Sequence, residues 1–220
     1  MKIVFASNNQ NKLSELNALI NKRPLLKQTP VNLSLKKSAR MTHPSATIEL
    51  ISQSFYGVTE VEESGLTFVE NALIKARHAS QITGLPTIAD DSGLVVPILN
   101  NAPGIYSARY AGDNATAEDN IEKLLNNLKN VPSRQRNAYF YSVLVCILHE
   151  HDPIPLICEG KWQGSIACQL KGKQGFGYDP IFYIPAKKRT AAQLSPIIKN
   201  KISHRGIALQ LLMKRLAEKL

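Results

Sequence analysis

The order of strand-like and helical segments predicts an α/β or mixed α+β sheet protein. Apolar runs alternate with helical patterns early in the chain, and two long stretches rich in Val, Ile, Tyr and Cys, residues 137–148 and 155–170, come late. Such an order favours helices packed on one sheet. A chain of 220 residues can bury a sizeable core, and we expect a single domain over residues 1–220.

The first element is a strand over residues 2–6, followed by a polar turn and a helix. Leu13, Leu16 and Leu19 recur at helical spacing after that turn. A polar strand-to-helix turn offers donors and free backbone N–H groups at the positive end of a helix, which favours a phosphate. Lys12 adds a full charge, although the turn lacks the GxxxxGK(S/T) pattern of a Walker loop. The alternative is that Ser and Asn here are plain helix caps.

A second helix is predicted after an irregular stretch. Residues 23–46 mix basic residues, prolines and leucines without periodicity, and residues 47–51 favour a strand. Thr67 and Glu70 then form the capping box that starts the helix. Lys75 lies about two turns into it, where a solvated helix lysine is the plain alternative.

The stretch over residues 88–94 carries the candidate chemistry. An apolar run leads into Asp90, Asp91, Ser92 and Gly93, which we interpret as a turn at the end of a strand. Open α/β folds bind their ligands at such strand ends. Two adjacent carboxylates repel each other and are costly to bury without a cation or donors nearby. The alternative is a solvated turn, since these residues are common in turns.

The remaining segments add aromatic and basic candidates. Residues 102–112 predict an ordered loop, and Thr116 caps a helix to about residue 128. Two glycines flank Phe176, which suggests an aromatic ring available to stack on a base. Ser203 caps the last helix and places His204 and Arg205 in its first turn, where the helix dipole disfavours cations. A ligand with anionic or acceptor groups offsets that cost.

The charge of +10 is unevenly distributed. Residues 1–46 carry +7, residues 47–185 carry −5 and residues 186–220 carry +8. This pattern suits a site where lysines bind phosphates and carboxylates hold a cation. A high pI also permits a general nucleic-acid binder, and a solvated basic surface is a further alternative.

Composition argues against a membrane protein and a secreted one. No apolar run approaches the ~20 residues of a membrane span, and the N-terminal segment turns polar too soon for a signal peptide. Cys146, Cys158 and Cys168 form no CxxC pair and suit a reducing cytosol. We interpret all three as core or strand residues and expect a cytoplasmic protein.

Six segments together resemble the inosine triphosphate pyrophosphatase family, hydrolases of deaminated purine nucleoside triphosphates. In chain order they read FASNNQNKLSEL, EESGLTFVENALIKARHAS, IADDSGLVV, APGIYSARYAG, GFGYDPIF and ISHRGIAL. Each segment is weak alone, but six in the family's order span nearly the whole chain.

The resemblance implies an α/β fold with an elongated mixed central sheet flanked by helices, and two lobes with an active-site cleft between them. It implies a homodimer and Mg²⁺-dependent hydrolysis of ITP, dITP or XTP to the monophosphate and pyrophosphate. By motif, Asp91 matches the general base, and Glu63 with Asp91 matches the metal site. The positions that match substrate-binding residues are Ser7, Asn8, Asn9, Gln10, Asn11, Lys12, Lys75, Ser92, Phe176, Gly177, Tyr178, Asp179, Lys199, His204 and Arg205.

Two departures from the family pattern accompany the resemblance. The first turn has Ser7-Asn8-Asn9 where many members have Thr-Gly-Asn, and residues 29–46 look longer than the family needs. Two alternatives stay open: a non-catalytic basic module that binds nucleotides or nucleic acid, and a related hydrolase of other modified nucleoside triphosphates. With the enzyme interpretation, we expect neither a nucleic-acid nor a membrane partner.

Overall fold

The computed structural model describes residues 1–20 and 48–219, so the excursion expected over residues 23–46 lies outside the described residues. The described strands are β1 Lys2–Phe5, β2 Glu49–Ser52, β3 Thr87–Val95, β4 Asn137–Ile147, β5 Leu156–Ile166, β6 Phe182–Ile184 and β7 Arg189–Thr190. The described helices are α1 Gln10–Ile20, α2 Phe68–Thr83, α3 Ala117–Asn127, α4 Pro196–Ile202 and α5 His204–Lys219.

The strands form one mixed sheet in the order β2-β1-β3-β4-β5-β6-β7. β1 pairs in parallel with both β2 and β3, and each later pair is antiparallel. The long central pair runs in register from Thr87 opposite Ile147 to Val95 opposite Tyr139. The mixed sheet flanked by helices that the sequence predicts is therefore observed.

Alternation along the strands gives the sheet two apolar faces. Ile3 and Ile88 pack with α1 and α5 on one face, whereas Val4 and Ala89 pack with α2 on the other. A third apolar cluster, around Leu94 and the far ends of β4 and β5, packs against α3. Two clusters thus involve α1, α2 and α5, and the third involves α3. The candidate site lies between these two groups of elements.

Predicted caps account for the helix boundaries near the site. Thr67 and Thr116 each form a capping box, and Gly84 ends α2 in the left-handed conformation that glycine adopts without a Cβ penalty. Ser203 Oγ accepts the N–H of Gly206 at 3.2 Å and caps α5 as predicted. Since the caps are local in sequence, they fix where α2, α3 and α5 begin.

One prediction is wrong at the centre of the sheet. Asp90 to Gly93 do not form a turn; they continue β3, paired residue by residue with β4. The reason is that the Asp90 carboxylate finds its donors across the sheet, including Ser142 Oγ of β4 at 2.7 Å, so burial needs no solvated turn.

The cysteine interpretation is correct for two residues and wrong for the third. Cys146 on β4 and Cys158 on β5 are buried, whereas Cys168 is exposed because β5 ends two residues before it. All three are free thiols. Within residues 1–20 and 48–219, no helix combines the length and the apolar character needed to cross a lipid bilayer.

Candidate active site

The β1–α1 turn presents polar groups at the carboxyl end of β1. Asn9 Oδ1 accepts the N–H groups of Asn11 and Lys12 at 3.0 and 3.1 Å, which caps α1. Asn8 is held from outside the turn: Gln53 Nε2 donates to its Oδ1 at 3.0 Å, and its Nδ2 donates to Glu60 at 3.2 Å. The turn is therefore both a helix cap and an ordered part of the site.

Asp90 anchors two cations on the α1-α5 face of the sheet. Its carboxylate is fully buried, and Oδ2 lies 3.0 Å from Lys12 Nζ. Arg205 Nε and Nη2 donate to the same oxygen at 3.2 and 3.1 Å. Ser92 Oγ donates to Oδ2 at 3.1 Å, and Ser142 Oγ donates to Oδ1. A carboxylate with this many donors stays ionised although it is buried.

The pKa values of Asp90 and Lys12 are both lowered, but for different reasons. Burial would raise the pKa of Asp90, but the Arg205 guanidinium and the Lys12 ammonium outweigh it and hold that pKa far below its usual range. Burial lowers the pKa of Lys12, against the attraction of Asp90. Lys12 is thus a desolvated cation whose charge depends on its carboxylate partner.

Asp91 points to the opposite face and pairs with Lys75 of α2, which also pairs with Glu63. Lys75 Nζ lies 2.7 Å from Asp91 Oδ1 and 2.6 Å from Glu63 Oε1. The two carboxylates predicted to share a metal therefore converge on one ammonium nitrogen. Asp91 Oδ2 is buried and has no hydrogen-bond partner among the described residues. An unsatisfied buried carboxylate oxygen is costly and needs a specific explanation.

Burial and Lys75 set the protonation of this second cluster. Burial raises the pKa of Asp91, and the Lys75 ammonium only partly opposes that rise. Burial acts in the same direction on Glu63, but there Lys75 outweighs it and the pKa is lowered. For Lys75 itself, burial lowers the pKa, while Asp91 and Glu63 together raise it above the usual value. Asp91 is therefore the stronger base of the two carboxylates.

The donor set fits a divalent cation that is shared with a ligand. In residues 1–20 and 48–219, no group of three or more His, Cys, Asp and Glu side chains forms a complete metal site. Glu63 and Asp91 instead offer two carboxylates, one with a free buried oxygen. Mg²⁺ is typically bound through one or two carboxylates plus substrate phosphates, so these residues fit it.

A third cluster joins α1, α4 and the segment around residue 176. Lys199 Nζ lies 2.5 Å from Asp179 Oδ2 and 3.0 Å from Glu15 Oε1. Glu15 also accepts from Arg205 Nη1. The Lys199 ammonium lies 4.9 Å from the centre of the Phe176 ring, within the range of a cation–π contact. The aromatic candidate and the basic candidates of the sequence thus meet at one wall of the site.

His204 supplies a flat, neutral side chain at the same wall. Its ring stacks on Phe140 at 4.7 Å between centroids, with 12° between the planes. Nδ1 is buried without a hydrogen-bond partner among the described residues. Burial and the nearby Arg205 charge lower the pKa of His204 well below 6.5, so the ring is neutral at pH 7.

These clusters surround one cavity of about 670 Å³. The predicted site residues that line it are Ser7, Asn8, Asn9, Lys12, Glu63, Lys75, Ser92, Phe176, Gly177, Tyr178, Asp179, Lys199, His204 and Arg205. Gln10 and Asn11 do not line it; both are exposed in the first turn of α1. Asp91 lies behind Lys75, which occupies its Oδ1 in this structure.

Sequence reasoning missed several charged or polar residues of the site, and three of them hold or pair with predicted site residues. Glu15 pairs with Lys199 and Arg205, Gln53 holds Asn8, and Arg109 lies 3.6 Å from Glu63 Oε2. Gln53 lies in none of the six segments, and its partner Asn8 is 45 positions away. Glu15 lies in FASNNQNKLSEL, but nothing in that segment indicates its distant partners Lys199 and Arg205. Arg109 lies in APGIYSARYAG, one of the six segments, and could have been singled out as the basic residue in it.

Comparison with known proteins identifies close relatives. The Ham1 family pattern matches residues 3–215. The dITP/XTP pyrophosphatase of Vibrio cholerae is 48% identical over 217 residues, which cover 99% of this chain and 97% of that protein. The protein of the same name from Photorhabdus laumondii is 57% identical over 169 residues, 77% of this chain and 86% of the relative. The solved structure of a HAM1 protein from Coxiella burnetii superposes with a TM-score of 0.82, at 47% identity and 99% coverage of both chains.

Proposed function

This chain belongs to the Ham1 family, and from that membership we propose that it hydrolyses the deaminated purine nucleoside triphosphates ITP, dITP and XTP to the monophosphate and pyrophosphate. The family and the fold predicted from the six sequence segments are confirmed. The enzyme class, a nucleoside-triphosphate pyrophosphatase, agrees with the names of the relatives. The base specificity, the Mg²⁺ dependence and the residue roles below are our proposals.

The observation that carries the proposal is the convergence of Glu63 and Asp91 on one nitrogen, at 2.6 and 2.7 Å. A non-catalytic basic module would have no use for two carboxylates that face a polyanion, since they would repel it. A hydrolase needs them for a cation and for water. Lys12 and Lys199, each close to a carboxylate, line the same cavity.

Glu63 and Asp91 would hold the Mg²⁺ ion, which when bound neutralises phosphate charge and polarises the phosphoryl group. Lys75, at present between the two carboxylates, is placed to contact a phosphate oxygen once they are engaged. Lys12 and Lys199 would neutralise the rest of the triphosphate and the charge that builds on the leaving pyrophosphate.

Asp91 would act as the general base. Burial raises the pKa of Asp91, which increases its basicity, and Oδ2 is free to accept a proton. In the proposed step, the water oxygen bonds to the α-phosphorus and its proton passes to Asp91. The bond from the α-phosphorus to the bridging oxygen breaks, and its electron pair stays on pyrophosphate.

Base selectivity is assigned to hydrogen-bond polarity at purine C6. Inosine and xanthosine carry a carbonyl there, which accepts from donors such as an N–H of Arg205 or nearby backbone N–H groups. Arg205 Nε and Nη2 already donate to Asp90 and Ser92. Nη1 donates one N–H to Glu15, so its second N–H is the donor that remains for a base. Adenine presents an amine, and donor would face donor. A site built on such a bond rejects a mismatched group by about 10⁴-fold or more.

The test is a phosphate-release assay across ITP, XTP, dITP, GTP, ATP and dUTP. Each substrate is assayed with and without Mg²⁺, and with and without added inorganic pyrophosphatase. We expect ITP, dITP and XTP to far outrun ATP, only with Mg²⁺, and with phosphate appearing only when pyrophosphatase converts the product. Equal kcat/KM for ATP contradicts the selectivity argument. Preference for dUTP supports a hydrolase of other nucleotides, and no turnover at all supports a binding module.

We also propose a cytoplasmic homodimer. The three free cysteines are compatible with a reducing compartment, and Phe55 and Leu66 are apolar side chains with 77% and 83% exposure. Sedimentation equilibrium with the full chain tests the assembly: a mass near twice 24.3 kDa supports it, and a monomer across the micromolar range contradicts it.

A further inference from the structure

Arg109 lines the cavity but has no role in the function proposed above. It ends a short 3₁₀ helix, Gly104–Arg109. Its Nη1 lies 3.6 Å from Glu63 Oε2, and its side chain is 32% exposed. Its guanidinium carbon lies 5.3 Å from the centre of the Tyr106 ring, and the guanidinium donates no hydrogen bond to the part of the chain that the structure describes. Most of its N–H donors are therefore available to a ligand.

The backbone on both sides of Arg109 is fixed. Tyr178 Oη donates to the Ser107 carbonyl at 3.0 Å. The Asn120 amide bridges the residue before Arg109 and the second residue after it, donating to a carbonyl at 3.1 Å and accepting from an N–H at 2.7 Å. An arginine with an anchored backbone and a partly free head group is preorganised for binding, because little order is lost when a ligand arrives.

The segment also packs tightly against β3 beside Asp91. Ser107 Oγ accepts the N–H of Leu94 at 2.8 Å. A Cβ at Gly93 would overlap the Gly104 carbonyl oxygen and Ser107 Oγ, so glycine there permits the close approach. Packing of this segment on β3 therefore fixes the position of the Arg109 backbone relative to Asp91, the proposed general base.

We propose that Arg109 binds the pyrophosphate end of the triphosphate and stabilises the charge that develops on it as it leaves. The inference rests on the proposed function. Glu63 is now shared, with Lys75 on Oε1 and Arg109 on Oε2. Once Glu63 and Asp91 engage a cation, both side chains lose part of their carboxylate pairing and can turn to phosphate oxygens. Lys75 contacts Asp91 as well and so stays nearer the attacked phosphorus, whereas Arg109 lies on the far side of Glu63.

The proposed step creates negative charge on the leaving pyrophosphate, and a nearby cation such as Arg109 can stabilise it. When the bond to the α-phosphorus breaks, the electron pair moves onto the bridging oxygen of pyrophosphate, so negative charge grows on the leaving group. A planar guanidinium can donate two parallel N–H bonds to phosphate oxygens, which an ammonium cannot. Donors that are fixed before the reaction stabilise such charge with little reorganisation.

The test measures binding of two product fragments to Arg109→Ala, Arg109→Gln and Arg109→Lys. Calorimetry in Mg²⁺ gives the Kd of inorganic pyrophosphate and, separately, of dIMP. We expect the pyrophosphate Kd to rise about 10–100-fold in the Ala and Gln variants, while the dIMP Kd changes less than about twofold. The kcat for dITP should fall about 10²–10³-fold, the usual loss for one donor to a developing charge. Arg109→Lys should lie between these variants and the wild type, since it keeps charge without the planar fork.

Two controls separate binding from structure. Arg134, an exposed arginine on the 3₁₀ helix Ser133–Gln135, lies outside the cavity, and Arg134→Ala should change neither Kd. Lys123 Nζ donates to the Tyr110 carbonyl at 2.6 Å, so Lys123→Ala loosens the same segment but keeps the guanidinium. If Lys123→Ala reproduces the full loss of pyrophosphate binding, Arg109 acts through structure and the inference is overturned.

The outcomes also distinguish this inference from the proposed function. A wild-type protein that does not turn over dITP removes the proposed function. Normal dITP turnover with an unchanged pyrophosphate Kd in Arg109→Ala overturns the inference alone. Equal losses of dIMP and pyrophosphate binding also overturn it, because Arg109 would then not be specific to the leaving group.

Discussion

At the scale of single residues, Asp90 and Asp91 show how adjacent carboxylates can do different work. On a strand, neighbouring side chains point to opposite faces. Asp90 therefore meets Lys12 and Arg205, while Asp91 meets Lys75. The repulsion expected of two neighbouring acids is reduced, because the two carboxylates point to opposite faces and each has its own cation. One is a fully paired anchor and the other keeps a free oxygen.

Asp91→Asn tests the second of these roles. The amide keeps the shape of the side chain but cannot take a proton from water. We expect kcat for dITP to fall by about 10²–10⁴-fold, the usual range for a general base, with a circular dichroism spectrum like that of the wild type. Asp113→Asn, the same exchange at an exposed position outside the cavity, serves as the matched control. Near-normal turnover in Asp91→Asn would remove Asp91 from the role of base.

The pH dependence of stability should report on His204. Burial and the Arg205 charge lower the pKa of His204 in the folded state, whereas the unfolded chain titrates near 6.5. As pH falls below 6.5, the unfolded state gains a proton that the folded state does not, so stability is lost. Each pH unit in that window should cost about 1.4 kcal/mol. Above 6.5 both states are neutral at this position and the contribution is flat.

His204→Phe should remove that slope, since a phenyl ring can stack on Phe140 without titrating. The free energy of unfolding, measured in urea between pH 7.5 and 5, is compared for the two proteins. His151→Gln, at a side chain with 86% exposure, should leave the slope unchanged. A His204→Phe profile parallel to that of the wild type would show that His204 is not a buried neutral histidine.

A site residue could be predicted from the sequence when other candidate residues lay close to it along the chain. Lys12 and Asp91 lie beside other polar candidates in FASNNQNKLSEL and IADDSGLVV, so these segments indicated both residues. Glu15 lies in the same segment as Lys12, but its partner Arg205 comes 190 positions later, so the segment does not show that pairing. Contacts that close through tertiary packing leave no pattern in a single sequence, and this is why Glu15 was missed.

At the scale of elements, the site depends on how closely α5 can approach the sheet. Caps and periodicity predicted α2, α3 and α5 well, because those signals are local. The strand character of Asp90 to Gly93 was missed, because propensity favours a turn and only the nine-residue pairing with β4 overrides it.

Gly160 of β5 allows the close approach of α5 to the sheet. A Cβ at this position would overlap the carbonyl oxygen of His204 and crowd the N–H of Ala208.

Gly160→Ala should therefore push the start of α5 off β5. Overpacking in a dense core typically costs about 1–3 kcal/mol, and we expect a loss of that size in the free energy of unfolding measured in urea. Activity should fall as well, since His204 and Arg205 begin the displaced helix. Gln163→Ala, on the solvent side of the same strand, is the control and should change stability by less than about 0.5 kcal/mol. Unchanged stability in Gly160→Ala would show that the contact relaxes at no cost.

At the scale of the whole molecule, the net charge and the charge of the site have opposite signs. The chain carries +10, yet among residues 1–20 and 48–219 carboxylates outnumber cations around the cavity, seven to five. The cations are Lys12, Lys75, Arg109, Lys199 and Arg205. The carboxylates that line the cavity or pair with these cations are Glu15, Glu60, Glu62, Glu63, Asp90, Asp91 and Asp179. A basic surface can raise the local concentration of a polyanion, but the site alone does not favour one.

Triphosphate binding should therefore be coupled to the divalent ion, and the coupling is measurable without catalysis. A dITP analogue with an imido bridge between the α- and β-phosphates is titrated by calorimetry in Mg²⁺ and in EDTA. We expect affinity at least about tenfold weaker in EDTA, within the 5–150-fold range usual for coupled sites. Glu63→Gln removes one proposed ligand and one negative charge, so the difference between the two buffers should shrink, while Glu118→Gln on the exposed start of α3 should leave it intact. If the analogue binds the wild type equally well in both buffers, the excess of carboxylates does not control binding, and Glu63 with Asp91 has some purpose other than holding a cation for the substrate.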